Sequence, residues 1–487
     1  MNKETISKAI IYFLIPLQLF LFTFLVPPFQ KPDEQQHFEK SLIISKGYLF
    51  CQKKSGNIVP IEKKYSDLIK NPYLDLMTHK KSAKLPLGVF FKDLFPVEQA
   101  ETKINFNVDH LCGFPPISYL PQAIVLLVLS LFHASPILTI YLGRFVMAIL
   151  SYWLFLLLYR KIANQYKSII LFTFALPMTL HQISSFSYDV ANIMLALTFF
   201  TLIVNNLSEG RSTKSNSNMS FPRRRESRLN IHFKNVIIDW IPSFEGMTYK
   251  IKLVFNKYIK YFKIFFVLFL LLWSKKIGYE TFFLFLFLLP LKIKPFIIST
   301  LIFIPFYILS KLNGSYDINY SLTNPVFNPV HQLSFLSNPI NIIKVVIDST
   351  VHRLGFYLQS LIGIFGWLEY GLDPLSYFLY GLFFIYSLAG VKLPDKLKLS
   401  RNKNILLFCT LILSYIFIVL LAFVFNTPSG TMVAQGVQGR YFIPFLPFII
   451  LFIVQIKDTL IFQKILYWSI IIFLIISTFY SIFHRYY

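Results

Sequence analysis

Long apolar runs recur along the chain, separated by short polar segments that hold most of its Lys and Arg. The first run, Ala9–Val26, is about 27 Å long as a helix, enough to cross a bilayer core. Lys3 and Lys8 precede it, Pro27 and Pro28 follow it, and it carries no small-residue cleavage site. It therefore reads as a retained anchor with a cytoplasmic N-terminus, not a removed signal peptide. Further runs predict membrane helices at roughly 139–159, 168–186, 190–207, 262–274, 281–291, 296–310, 374–391, 404–425, 441–456 and 465–483. Together they make about eleven spans in an all-α, polytopic helical bundle with no soluble domain.

Basic clusters orient the bundle. If the run at 117–132 also spans, parity puts Arg160 and Lys161 outside, with every later basic cluster. If instead it lies in or re-enters the outer leaflet, five clusters fall on the cytoplasmic side, where Lys and Arg accumulate. These are Arg160/Lys161/Lys167, the run from Arg211 to Lys263, Lys292/Lys294, Lys392–Lys403 and Lys457/Lys464. One assumption aligns five loops, so 117–132 is read as non-spanning. Residues 28–116 then form a long first extracytoplasmic loop. Residues 312–373 form another, whose stretch NIIKVVIDSTVHRLGFYLQSLIGIFGW predicts a second surface-lying or re-entrant helix.

Composition agrees with this picture. Apolar residues make up 55% of the 487, and charged residues only 14%, against about 25% in soluble chains. The net charge of +24 does not point to nucleic acid, because the basic residues sit between apolar runs, where they meet anionic lipid headgroups. Cys51 and Cys112 share the first loop. They are open to two readings, free thiols or, if the loop is extracytoplasmic, a disulfide. Cys409 lies in a span and reads as a small hydrophobe. A polar, Arg-rich insert at 208–255 interrupts the pattern. Its ends, FPRRRESR and DWIPSFEGMT, resemble translated palindromic repeat elements, and it is assigned no functional role.

With this topology the unusual polar residues collect on one face: Asp33, Glu34 and His37 after the anchor, then Asp189 in SSFSYDVAN. Lys275, Lys276, Tyr279 and Glu280 follow in WSKKIGYE, Trp367 and Glu369 in GIFGWLEYGLDP, and Gln438, Arg440 and Tyr441 in GVQGRYFIPFLP. Ionisable groups at membrane depth mark functional sites, although aromatics and lysines at headgroup level also serve as anchors. The set suits group transfer from a lipid-linked phosphosugar. A carboxylate takes the proton of an attacking hydroxyl, and Lys, Arg or a divalent cation such as Mg or Mn stabilises the departing phosphate. Asp33, Glu34 and Asp189 are candidate catalytic carboxylates and candidate oxygen ligands for such a cation. His37, Lys275, Lys276, Tyr279, Glu280, Trp367, Glu369, Gln438, Arg440 and Tyr441 are candidate substrate contacts.

The ordered motifs PPFQKPDEQQHFEKSLIISKG, GFPPISYLPQAI, SSFSYDVANIMLAL, GIFGWLEYGLDP and GVQGRYFIPFLP resemble the bacterial membrane-protein family called domain of unknown function 2142. That family looks like a branch of the GT-C glycosyltransferase superfamily, which includes protein mannosyltransferases and the aminoarabinose transferases of lipid A. The resemblance covers nearly the whole chain outside the insert. It implies a GT-C-like architecture and a bacterial inner-membrane location with the site facing the periplasm. It also implies that Asp33, with Glu34, is the base or metal ligand, and that Asp189 is the second acidic position. The family's Lys-Pro pair near the fifth span reads SKKIGYE here, so the resemblance does not single out one phosphate-contacting lysine. The expected partners are a polyprenyl-phosphate sugar donor, membrane lipids and an envelope glycan, lipid or protein acceptor. Two other readings are a flippase for lipid-linked sugars and a catalytically degenerate subunit of envelope glycan assembly. No internal repeat of the kind common in transporters is visible.

Overall fold

The computed structural model describes residues 7–51, 56–71, 74–75, 79–80, 82–85, 102–216, 259–275, 278–289, 304, 308, 328–389, 398–455 and 465–487. Most of the insert (217–255), the run at 296–310 except positions 304 and 308, and Lys276 lie outside the described residues. A π-helical turn, Ile10–Leu14, leads into α1 (Ile15–Phe24), and α2 (Glu34–Ser45) follows the Pro27–Pro32 turn. The first loop holds β1 (Ile58–Glu62), α3 (Lys63–Ile69) and β2 (Lys103–Asn107). Next come α4 (Leu120–Leu131), α5 (Pro136–Lys161), α6 (Lys167–Ala175), α7 (Pro177–Ile183) and α8 (Tyr188–Asn216). Residues 259–274 form α9, and a 3-10 helix covers Glu280–Leu288. After α10 (Pro329–Phe335) and α11 (Pro339–Gly363), β3 (Ile364–Phe365) and β4 (Tyr370–Gly371) make a short ribbon. The chain ends with α12 (Pro374–Ala389), α13 (Arg401–Asn426), the 3-10 helix Gly439–Phe445, α14 (Leu446–Gln455) and α15 (Ile465–Tyr486).

Among the described residues, four helices are long and apolar enough to cross a membrane: Ser7–Phe24, Pro136–Lys161, Tyr188–Ser208 and Arg401–Asn426. Several expected spans depart from a continuous helix. The run at 168–186 breaks between α6 and α7, because Leu176 precedes Pro177 and is pushed to an extended ψ of 135°. In the run at 281–291 the described helix, Glu280–Leu288, is 3-10, and the run at 441–456 begins as one around Pro444. The twelve residues of α4 reach only about 18 Å, too short to cross. Both α4 and α11 leave apolar rows exposed, Ile124, Leu127 and Leu131 on one, Ile343, Ile347, Val351 and Leu354 on the other. Such rows suit contact with lipid chains.

Two helix starts follow from their sequence. Ser135 accepts a hydrogen bond from the Leu138 amide with Pro136 in the first turn, and Asn338 does the same for Ile340 ahead of Pro339. Phe155 stacks on Phe174 at 4.1 Å, and Phe285 on Phe448 at 3.9 Å, within one large apolar cluster. Gly439 lies against α11, its amide donating to Ser360 Oγ at 2.7 Å. A Cβ there would come within 2.2 Å of the Tyr357 carbonyl. That closeness holds Arg440 in place.

The first loop adds a short strand pair to this largely helical fold. β1 and β2 pair antiparallel from Ile58↔Asn107 to Glu62↔Lys103. Val59 and Ile61 point into a second apolar cluster that includes Phe38, Leu42, Tyr65 and Leu111, and reaches Ile140 and Phe186 of the bundle. Cys51 and Cys112 form a disulfide with Cα atoms 5.5 Å apart. The loop is thus a packed cap built onto the bundle.

Candidate functional site

The turn from Pro27 to Asp33 is held from three directions. Arg144, fully buried in the middle of α5, donates to the carbonyls of Thr23 (3.3 Å), Val26 (2.5 Å) and Pro27 (3.0 Å) at the C-terminal end of α1. The last carbonyls of a helix lack donor partners within it, and a cation there also meets the negative end of the helix dipole. The same guanidinium makes a two-pronged ion pair with Glu34, one arm of which is the 2.8 Å bond from Nε to Oε1. The Phe186 amide adds a third donor to Glu34. Glu34 is completely buried, and its oxygens are engaged in this staple. Lys31 donates to the carbonyl and hydroxyl of Ser184, and burial, aided by Arg144, pushes its ammonium well below the ordinary lysine value. From the third side Trp367 Nε1 donates to the Phe29 carbonyl at 3.1 Å.

Asp33 emerges from this frame. It occupies the N-cap of α2 with φ +58° and makes no capping bond, although aspartate is a favoured cap. Its carboxylate instead accepts from Arg440 Nη2 at 2.9 Å, across 407 positions of sequence. Phe29 and Leu368 also have positive φ, so three of the four such non-glycine residues described lie at this mouth. Strained backbone of this kind concentrates at functional sites.

Asp189 stands on the other side of Arg440, its Oδ2 3.7 Å from Nε. Asn192 donates to Asp189, Ser274 donates to Asn192, and Ser118 donates to the Ser274 carbonyl. This chain ties α8 to the end of α9 and to the segment before α4. The next residue, Lys275, places its ammonium 4.1 Å from the Tyr441 ring centre, 4.8 Å from that of Tyr279 and 5.8 Å from that of Tyr188, a cation–π cage. Burial lowers this ammonium to about 8; Asp189 and Glu280 oppose the shift, and Arg440 adds to it.

Several polar atoms here are buried without a hydrogen-bond partner. They are Arg440 Nε and Nη1, Tyr279 OH and Gln438 Oε1. Buried polar groups are normally paired, so the two Arg440 N–H groups and the Tyr279 hydroxyl are candidate donors to a ligand's oxygens, and Gln438 Oε1 a candidate acceptor. Asp33 is the accessible carboxylate, with a side chain 38% exposed against 5% for Asp189.

The remaining expected residues divide. His37 lies beside the cluster, its Nδ1 2.8 Å from Tyr119 OH and its ring edge-on to Tyr188. Burial lowers it to about 4, so it is neutral near pH 7. Glu280 accepts from the Gly278 amide. Glu369 is ion-paired to Arg485 at 2.7 Å, and Arg485 also donates to the Ala83 carbonyl. Trp367 and Glu369 thus hold the Phe29 turn and the C-terminal helix, not the Arg440 cluster. A divalent cation would need several oxygen ligands, and the carboxylates expected for it do not form that set. Glu34 is closed by Arg144, the Arg440 guanidinium sits between Asp33 and Asp189, and no group of three His, Cys, Asp or Glu converges among the described residues.

Residues 17–220 and 255–449 match the family described as predicted membrane protein (DUF2142). The chain belongs to that family. The two matched blocks flank the Arg-rich segment and together span the whole Asp33–Asp189–Arg440 cluster of this DUF2142 protein. No curated protein and no solved structure matches the chain.

Arg144 was not among the residues expected at the site. Its signal was present, an arginine inside the apolar run TIYLGRFVMAIL, the kind of intramembrane charge that has a partner.

Proposed function

We propose that this DUF2142 protein is a GT-C-type membrane glycosyltransferase that moves a sugar from a polyprenyl-phosphate donor to a cell-envelope acceptor, with inversion. One observation carries the reading: a buried arginine with unpartnered N–H groups lies between two carboxylates, one of them accessible, beside a caged lysine. The site would face the periplasm of a bacterial inner membrane, the donor's phosphate at headgroup level and its tail in lipid.

In the step proposed, an acceptor hydroxyl oxygen attacks the anomeric carbon from the face opposite the phosphate. A new C–O bond forms as the bond to the phosphate oxygen breaks, and its electron pair leaves with the polyprenyl phosphate. Asp33 takes the hydroxyl proton. Arg440 and Lys275 meet the growing negative charge on the leaving group, and Asp189 positions Arg440.

The break between α6 and α7 favours the flippase alternative, because discontinuous helices recur in transporters. Proteoliposomes loaded with a labelled polyprenyl-phosphate sugar separate the two by counting sugar transferred against lipid flipped, for the native chain and for Asp33→Asn. Transfer that depends on Asp33 is the expected result; flipping without transfer would overturn the reading.

Lys275 gives a pH signature. Its charge is full below about 8 and is lost as pH rises through that value. Equilibrium binding of a long-chain prenyl phosphate is therefore expected to weaken between about pH 7 and pH 9, although the phosphate itself only gains charge over that range. Lys275→Arg, which stays charged, is expected to remove that step.

A further inference from the structure

The first loop holds a second buried cation, away from Arg440. Lys40 is on α2, about two turns beyond Asp33, and only 1% of it is exposed. It makes no hydrogen bond or ion pair with any described residue. Burial lowers its ammonium to about 8, with no charged neighbour contributing. Glu39, next to it in sequence, and Asp109, next to the cavity-lining Val108, are committed elsewhere. Glu39 pairs with His110 at 2.7 Å. Asp109 accepts from the Gly56 amide and from both nitrogens of Asn57.

Lys40 lines a cavity of about 270 Å³. Ile43, Val59 and Val108 form its apolar wall, and Tyr48 and Phe50 stand partly exposed beside it, 38% and 45%. The Cys51–Cys112 disulfide and the Asp109 bonds fix the rim. An ammonium largely desolvated, with no counter-charge beside it and its tip toward an open cavity, favours an anion there. The flat C–H face of a sugar ring packs well on exposed aromatic rings, which the mouth supplies.

We infer that this cavity is a binding subsite for an acidic saccharide, whose carboxylate or phosphate pairs with Lys40 while a sugar ring packs on Tyr48 and Phe50. Its place on the loop that also carries Asp33 suits the acceptor side of the transfer. That assignment to the acceptor rests on the transferase reading; the binding itself does not.

The test uses the full chain in nanodiscs of neutral lipid, titrated with tetragalacturonate, a phosphorylated maltose, neutral maltotetraose and inorganic phosphate. At least one of the two acidic saccharides is expected to bind, and which one does identifies the anion. Lys40→Met is expected to weaken it at least about tenfold, and Lys40→Arg to restore most of the affinity. Maltotetraose is expected to bind at least about tenfold more weakly than the acidic saccharide, unaffected by Lys40→Met. Lys63→Met, at an exposed lysine of the same loop, is expected to bind like the native chain, and because the readout is binding and not transfer, this claim stands apart from the catalytic one. Should Lys40→Met fail to fold, protection of Lys40 from amine acylation by the acidic saccharide, read on the native chain by peptide mass spectrometry, decides instead. Unchanged binding by Lys40→Met, no protection, equal binding of maltotetraose, or inorganic phosphate binding as tightly as the saccharides would each overturn the proposal.

Discussion

Asp33→Asn is expected to lower sugar transfer by about a hundredfold to ten-thousandfold, the usual span for loss of a general base. Membrane insertion and thermal stability are expected to change little. Asparagine tolerates the left-handed backbone that Asp33 adopts, and the side chain is 38% exposed, so the exchange does not strain the turn, while the buried Arg440 keeps Asp189 as a counter-charge and an amide oxygen in place of the lost carboxylate. Mass spectrometry of envelope glycans and lipid-linked sugars, from cells carrying either form, reads the outcome. Accumulated donor with lost product is the pattern expected. Unchanged product would remove Asp33 from the chemistry.

Glu34→Ala and Arg144→Ala are each expected to destabilise the protein by about 3–5 kcal/mol, because each leaves a buried charge without its partner. Arg144→Ala also frees the carbonyls at the end of α1. Replacing both together, Glu34→Leu with Arg144→Met, is expected to recover much of the loss, since apolar groups of similar volume often substitute for a buried ion pair at small cost. Thermal midpoints and monodisperse yield in detergent measure this. The same experiment separates the two neighbouring carboxylates. If Glu34→Ala stayed fully stable and lost only transfer, Glu34 would be the reacting group and the staple a misreading.

Much of the site was legible because membrane helices force a simple logic. Placing the basic clusters on one side carried Asp33, Asp189, Lys275 and Arg440 to a common end of the expected bundle, and the structure brings these side chains into one cluster. What periodicity could not reveal was the division of labour between Asp33 and Glu34. They are adjacent in sequence, but a positive φ at Asp33 turns one toward Arg440 and the other toward Arg144. Nor could an apolar pattern show that Pro177 and Pro444 interrupt their runs with a break and a 3-10 turn. The loop was the hardest part. The strands at 58–62 and 103–107 are only five residues each, and their pairing spans a long separation that no local signal encodes. The disulfide that borders them depends on the same long-range approach.

The account depends most on Asp33 and Arg440 meeting at one extracytoplasmic mouth. Cysteines placed at both positions, in a chain with Cys409 replaced by alanine, test this directly in intact cells. Cross-linking of the pair by a short bifunctional thiol reagent, and labelling of each single variant by a membrane-impermeant maleimide from outside, is the predicted result. Labelling of the two positions from opposite sides of the membrane, with no cross-link, would contradict it.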